Sequence, residues 1–303
     1  MSFSLWLSAH LLLAPAAAGP EASSSNPQPQ NAAEAPPVHP MRVRLGVDLS
    51  LWLSTGLLSL SSEYLLTPRL PVPTGEPPPP RLSGLDELAF GAWRPAHSTA
   101  SWITLGVVGL APFAYHGAEA ASFTGRGGRR FGIDALLLAQ TLSINMLVTE
   151  VFKFAVRRPR PYMHLEPSEI DDERAREKLQ EDQRAFDGYK SFVSGHASIA
   201  FAMATSGATL FTAKMMEKDR TPGRVAATAG VWAGGIGLAG ATAALRVSAG
   251  KHYPTDILGG AIVGTSVGLL VPLLHLRPSN RGRARIHWVV APRPGGASLR
   301  GVF

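Results

Sequence analysis

Residues 133–161 read IDALLLAQTLSINMLVTEVFKFAVRRPRP. The first part, 133–155, is a long apolar run with Asp134 near its start and Lys153 near its end. A dense cationic cluster with two prolines follows at once. A run of this length exceeds what a soluble core helix needs and suits a bilayer, which takes about 20 apolar residues per helical crossing. Further apolar runs cover 100–118, 197–213, 225–245 and 255–275. A weaker one at 45–66 carries Asp48, Glu63 and several serines, and reads as a transmembrane helix or as an amphipathic helix on the surface. Five strong runs with short charged connections disfavour buried helices of a soluble protein. In 225–245, Gly230, Gly234, Gly237 and Ala241 recur at three- and four-residue steps, a spacing that lets helices approach closely.

The chain has 303 residues, room for one or two domains. Its charged fraction is 17% and its hydrophobic fraction 45%, averages that hide the separation of apolar blocks from charged connections. The net charge of +7 sits in short loops beside apolar spans, so membrane topology explains it better than nucleic acid does. Cysteine is absent, which excludes disulfides, thiolate zinc sites and cysteine lipidation. Residues 3–18 end in Ala16-Ala17-Ala18 like a signal peptide but lack a basic leading region. Residues 19–40 have the Pro, Ser, Gln and Ala content of a disordered linker, and Met41 is an alternative start. The organisation expected is a signal-like segment and linker to 40, one helix and a stiff Pro-rich connector over 41–81, a catalytic domain over 82–276, and a basic tail over 277–303.

Three clusters lie at the ends of these runs: Lys153-(six residues)-Arg160-Pro161, Ser194-Gly195-His196, and Arg246-(five residues)-His252-(three residues)-Asp256. Counting crossings puts all three on one side. The other side receives Arg126, Arg129 and Arg130, then Lys214 and Lys218, then the basic tail, so the positive-inside rule turns the clusters outward.

The clusters supply two histidines, one carboxylate, three fixed cations and a glycine turn. His252 and Asp256, one turn apart behind Pro254, are suited to a nucleophilic imidazole whose tautomer the carboxylate fixes. Taken alone, the pair fits a helix cap better. His196 opens a helix behind Gly195, a natural phosphate site and a place for a general acid. Alone, it equally fits a plain turn. Lys153, Arg160 and Arg246 can clasp a phosphoryl group and neutralise charge in its transfer. Arg157 and Arg158 fit snorkelling toward lipid headgroups. Glu150, one turn before Lys153, is placed to pair with it, and His116 and Glu119 receive no catalytic role. Residues 162–190 form an acidic insertion on the active side, readable as a lid or as a solvated surface helix.

In these residues the chain resembles the type 2 phosphatidic acid phosphatase (PAP2) superfamily, which includes bacterial acid phosphatases and vanadium haloperoxidases. The family pattern is K-x6-R-P, P-S-G-H and S-R-x5-H-x3-D. This chain reads KFAVRRPRP at 153–161, SFVSGH at 191–196 and LRVSAGKHYPTD at 245–256. The resemblance spans roughly residues 82–275. It implies an all-α polytopic membrane bundle of five or six transmembrane helices. It also implies that His252 is the nucleophile, Asp256 its orienter and His196 the general acid, with Lys153, Arg160, Ser194, Gly195 and Arg246 binding the phosphoryl group. No metal or cofactor is implied. The expected activity is hydrolysis of lipid phosphate monoesters or diphosphates through a phosphohistidine, at a bacterial inner membrane with the site facing the periplasm. The implied partners are the lipid substrate and the bilayer, not nucleic acid. Two other readings are a vanadate-dependent haloperoxidase and a catalytically weak lipid-phosphate-binding protein. Val193 stands where the family usually has Pro, and Leu245 where it usually has Ser.

Overall fold

The computed structural model describes residues 38–78, 84–277, 287–293 and 296–302. The signal-peptide and linker expectations for 1–37, the end of the Pro-rich connector at 79–83 and the start of the basic tail at 278–286 lie outside the described residues.

Among the described residues seven α-helices make up the body: α1 Leu45–Ser61, α2 Pro95–Ala121, α3 Gly127–Val156, α4 Glu173–Gln183, α5 Gly195–Met216, α6 Pro222–Ser248 and α7 Pro254–Leu274. Their boundaries follow local chemistry. Proline occupies the first position of α2, α6 and α7, where its missing N–H is no loss. Ser194 and Thr221 cap α5 and α6 by accepting from Ala197 N and Arg224 N. α3 stops where Arg157 turns left-handed, at φ 49°.

The long helices alternate in direction. Glu63, just past α1, meets Lys190 at the end of the bundle that carries the three clusters. At the opposite end Asp48 meets His275, and Met41 bridges to Leu276 in an antiparallel pair. The segment 45–66 therefore runs the length of the bundle, packed on α3, and does not lie across its surface. Among the described residues three helical stretches are long and apolar enough to cross a membrane: Gly127–His164, Pro222–Ser248 and Pro254–Leu274. The all-α expectation describes residues 38–277. Beyond them, strands β1 His287–Arg293 and β2 Gly296–Val302 pair as an antiparallel hairpin, with His287 opposite Val302.

Polarity is inverted relative to a water-soluble bundle. Leu45, Leu53, Leu57, Trp102, Leu110 and Ile262 are exposed, whereas Gln140, Thr141, Asn145, Ser198 and Ser206 are buried. The α3–α5 seam is a run of side-chain hydrogen bonds: Thr141 with Ser206 at 3.1 Å, Thr149 to Ser198 at 3.2 Å, and Ser198 to Asn145 at 2.8 Å. Polar groups away from water favour partners inside the protein, and these bonds supply them along the seam, while Gln140 Oε1 and Asn145 Nδ2 have no hydrogen-bond partner among the described residues.

α7 lies against α5 along Gly260, Gly264 and Gly268. A Cβ on Gly264 would sit 2.1 Å from Ser198 O, and one on Gly268 2.4 Å from Ala202 O. This contact brings His196 and His252, at the starts of the two helices, to one place. The stripe expected to let helices approach closely, Gly230, Gly234, Gly237 and Ala241, is instead exposed on α6, and a Cβ at any of its glycines meets nothing within 4 Å. Spacing alone does not say which face of a helix is inward. Gly264→Ala is accordingly expected to destabilise the protein by about 1–3 kcal/mol, read as a lower thermal midpoint in detergent. Gly234→Ala should leave the midpoint unchanged, and equal midpoints for the two variants would contradict the assigned seam.

Candidate active site

Lys153 stands on the last turn of α3. Its Nζ bonds Glu150 Oε1 at 2.7 Å and lies 3.5 Å from where a Cβ on Gly195 would be. A cation thus hangs over the first turn of α5, whose free N–H groups already favour an anion. Glu150 is shared: its Oε2 accepts from Lys190 Nζ at 2.8 Å, and Lys190 also bonds Glu63 at 2.6 Å and Thr67 at 2.9 Å.

The left-handed turn at Arg157 reverses the chain and carries Arg158 inward. Arg158 donates to Asp256 Oδ1 and Thr255 Oγ1, both at 2.7 Å, and to Asp86 Oδ2 at 2.8 Å. Its guanidinium also lies 4.0 Å over the Tyr253 ring. It is an anchor for α7, which corrects its reading as a snorkelling residue.

Arg160 is 5% exposed. It donates to Asp187 O and Asp187 Oδ1 at 2.9 Å, to Lys251 O at 3.2 Å, and to His252 Nε2 at 3.0 Å. The other imidazole nitrogen, Nδ1, donates to the Ser191 carbonyl at 2.9 Å. These partners fix the tautomer: Nδ1 carries the proton and Nε2 presents its lone pair. Asp256 stands 3.7 Å from Nδ1, beyond hydrogen-bond reach. The expected direct contact is therefore replaced by an indirect one. The Asp256 carboxylate accepts from Ser191 Oγ at 2.6 Å and from Tyr253 N at 2.9 Å, so it holds the two backbone segments that position the ring. Burial first, then the cations Arg160, Arg246 and Lys153, push His252 well below the ordinary 6.5.

Arg246 is buried at the end of α6, and its partners are neutral: Ser98 Oγ at 3.0 Å and Ser101 Oγ at 3.2 Å. Among the described residues its Nε has no hydrogen-bond partner, and neither does Nε2 of His196. The His196 ring packs edge-on against Trp102, 4.2 Å between centroids, within electrostatic reach of Arg246, His252, Arg160 and Lys153. Val193 is buried beside Gly259, where a Cβ would sit 2.9 Å from its Cγ1. Ser194 N bonds Asp256 O at 3.0 Å, so the turn is held without a proline.

The insertion contributes residues that motif spacing did not single out. Asp187 pairs with Arg160. Burial would raise its pKa, but Arg160, Lys153 and Lys190 hold it below the usual carboxylate range. Asp182, at the end of α4, pairs with Lys251. Among the described residues no group of three or more His, Cys, Asp or Glu is placed to hold a metal ion.

The six side chains Lys153, Arg160, His196, Arg246, His252 and Asp256 thus converge from four helices and two loops on one end of the bundle, with Ser194 and Gly195 at the cap of α5 among them. The family model of the PAP2 superfamily matches residues 134–279, a range that contains all three clusters. No curated protein and no solved structure matches the chain. Residues 134–279 are thus assigned to the PAP2 superfamily, whose members are generally phosphatases and phosphoesterases, and the apolar helices suit a membrane protein of that type.

Proposed function

We propose that the protein hydrolyses lipid phosphate monoesters or diphosphates through a phosphohistidine, at the outer face of a bacterial inner membrane. The observation that carries this reading is the pair of bonds on His252: Nδ1 to Ser191 O and Nε2 to the Arg160 guanidinium. A nucleophile is thereby aimed at a group that binds phosphoryl oxygens. In the proposed reaction a phosphoryl oxygen takes over the Arg160 donor, and Nε2 attacks phosphorus. The P–O bond to the lipid breaks, and His196 gives the leaving oxygen its proton. Water, deprotonated by the same imidazole, then splits the P–N bond and releases phosphate. Lys153, Arg160, Arg246, the Ser194 hydroxyl and the Gly195 N–H hold the equatorial oxygens, where negative charge gathers. Asp256 acts as a positioning residue through Ser191 and Tyr253.

The reading takes α1, α2, α3, α5, α6 and α7 as six crossings. That places Arg42, Arg44, Arg126, Arg129, Lys218 and Arg224 together at the end opposite the site, on the cytoplasmic side. The test is phosphate release from micellar lipid phosphates in excess EDTA. Release that survives chelation supports the histidine mechanism, and release abolished by chelation contradicts it.

The direction of the His252 shift gives a pH prediction. The attacking form is the neutral imidazole, and protonation removes its lone pair. A pKa held well below 6.5 keeps that form populated as pH falls through 6.5. After allowance for substrate ionisation, the acid limb of kcat/KM should therefore lie below pH 6.5. A limb at 6.5 or above would contradict the assignment.

A further inference from the structure

Beside the phosphoryl-binding cations lies a fourth whose setting the hydrolytic reading does not use. Lys251 directly precedes His252 in the chain, and its side chain is 13% exposed. Its ammonium lies 4.6 Å over the Trp93 ring and 4.6 Å over the Tyr162 ring, two faces 60° apart. Its carbonyl accepts from Arg160, which bonds His252 as well. Its acid partner is Asp182, which Lys178 also contacts at 3.3 Å. Trp93 in turn donates from Nε1 to Ala175 O at 2.9 Å, so the aromatic seat is tied to the insertion.

The charges give this arrangement a meaning. Arg160 and Lys251 each face one carboxylate from the insertion, Asp187 and Asp182, five residues apart in one segment. Arg246 faces hydroxyls only. Lys153 keeps Glu150 as its counterion, so when anionic substrate displaces the two insertion carboxylates, three further cations, Arg160, Arg246 and Lys251, face it without one. One phosphoryl group carries about −1.5 to −2 at neutral pH and is matched by the two arginines. Lys251 is then left without a counterion, on a largely buried aromatic platform. Burial already pushes it down to about 8 despite Asp182, so it stays charged there only if another anion replaces that carboxylate.

We propose that Lys251, seated on Trp93 and Tyr162, is a second phosphoryl subsite that selects headgroups bearing two phosphoryl anions, with Asp182 as the counterion it exchanges for substrate. This rests on the phosphatase reading above. The second anion has two possible sources, a diphosphate or a headgroup in which glycerol separates two phosphoryl groups.

The experiment compares three substrates with one lipid tail: a monophosphate, a diphosphate and a glycerol-bridged bisphosphate. Each is assayed with wild type, Lys251→Gln, Lys251→Arg, Asp182→Asn and His252→Ala. Lys251→Gln is expected to lower kcat/KM at least about tenfold for one of the two-phosphoryl substrates and less than about threefold for the monophosphate. Lys251→Arg should recover part of the loss, and Asp182→Asn should lower KM for that same substrate. The substrate affected identifies the spacing. Equal losses on all three substrates, or none, would overturn the subsite and assign Lys251 a purely structural role. Wild-type release that does not depend on His252 would instead overturn the phosphatase reading, a separate result within the same panel.

Discussion

His252→Ala is expected to lose at least about 10³-fold in kcat on every lipid phosphate the wild type hydrolyses, because the group that forms the covalent bond to phosphorus is gone. The remaining cations would still bind substrate, so KM should change little by comparison. The substitution also takes one partner from Arg160 Nη1, which keeps the Lys251 carbonyl, and the donor from the Ser191 carbonyl, and it opens space at a residue 2% exposed. His252→Gln controls for that: it keeps bulk and polarity but is no nucleophile toward phosphorus at neutral pH, and should be as inactive as the alanine variant with a wild-type midpoint. A denaturing quench in alkali, where the acid-labile P–N bond survives, should trap labelled phosphate on the wild-type protein, and neither variant should show the label. His196→Ala is expected to fall about 10²- to 10⁴-fold, and least for substrates whose leaving oxygen needs no proton. A His252→Gln protein that turned over at more than about a tenth of the wild-type rate would remove the nucleophile assignment.

The residues that converge at this candidate site stood out in the sequence because the proposed phosphoryl transfer would need such side chains, and the ends of apolar runs are where they have no business as lipid-facing groups. Lys153, Arg160, His196 and Arg246 could be read in that way. The connections between them could not. A four-residue step from His252 to Asp256 suggests direct contact within one helix turn. The fold instead brings Ser191 O between them, from a loop more than sixty residues earlier, and leaves Asp256 at 3.7 Å. Arg158 has a close neighbour in Arg157, and nothing in the string RRPR tells which one turns inward. The left-handed conformation of Arg157 decides it. Lys190 sits in an ordinary polar stretch, and only the arrival of Glu63 from just past α1 and Glu150 from α3 makes it a buried junction.

The fold shows the same division. Hydropathy located the runs 133–155 and 225–245, but the helices are longer, Gly127–Val156 and Pro222–Ser248, because their limits are set by caps, prolines and a left-handed residue and not by where the apolar residues stop. Hydropathy also left 45–66 undecided. Its polar residues looked like the wet side of a surface helix, yet Asp48 and Ser59 are buried, and Thr55 bonds Ser143 of α3 at 2.7 Å, while its leucines face outward. An amphipathic pattern gives the two faces and not which solvent each one meets.

Lys214→Met is expected to be among the most destabilising single substitutions, by about 3–5 kcal/mol, a large share of the roughly 5–15 kcal/mol that holds a protein folded. Lys214 sits near the end of α5 with its side chain 2% exposed. It bonds Asp134 Oδ2 at 2.5 Å, Glu119 Oε2 at 2.9 Å and His116 Nδ1 at 3.0 Å, while His39 approaches Asp134 at 3.2 Å. Methionine fills much the same volume, so the loss would not be one of packing. It would come from Asp134, fully buried, and Glu119 being left with less positive charge in a setting that cannot hydrate them. Removing charge on both sides tests this directly. If the cost is an uncompensated carboxylate, Lys214→Met with Asp134→Asn should be more stable than Lys214→Met alone, and a double-mutant cycle should show coupling of more than about 1 kcal/mol. If the cost is shape, the second substitution should add to the first. Thermal midpoints in detergent distinguish the two. Because this cluster joins α2, α3 and α5 at the end of the bundle away from His252, the protein that remains folded should keep its turnover. A variant with lowered kcat and an unchanged midpoint would show instead that the two ends are linked through α3 and α5, the helices that carry Asp134 and Lys214 at one end and Lys153 and His196 at the other.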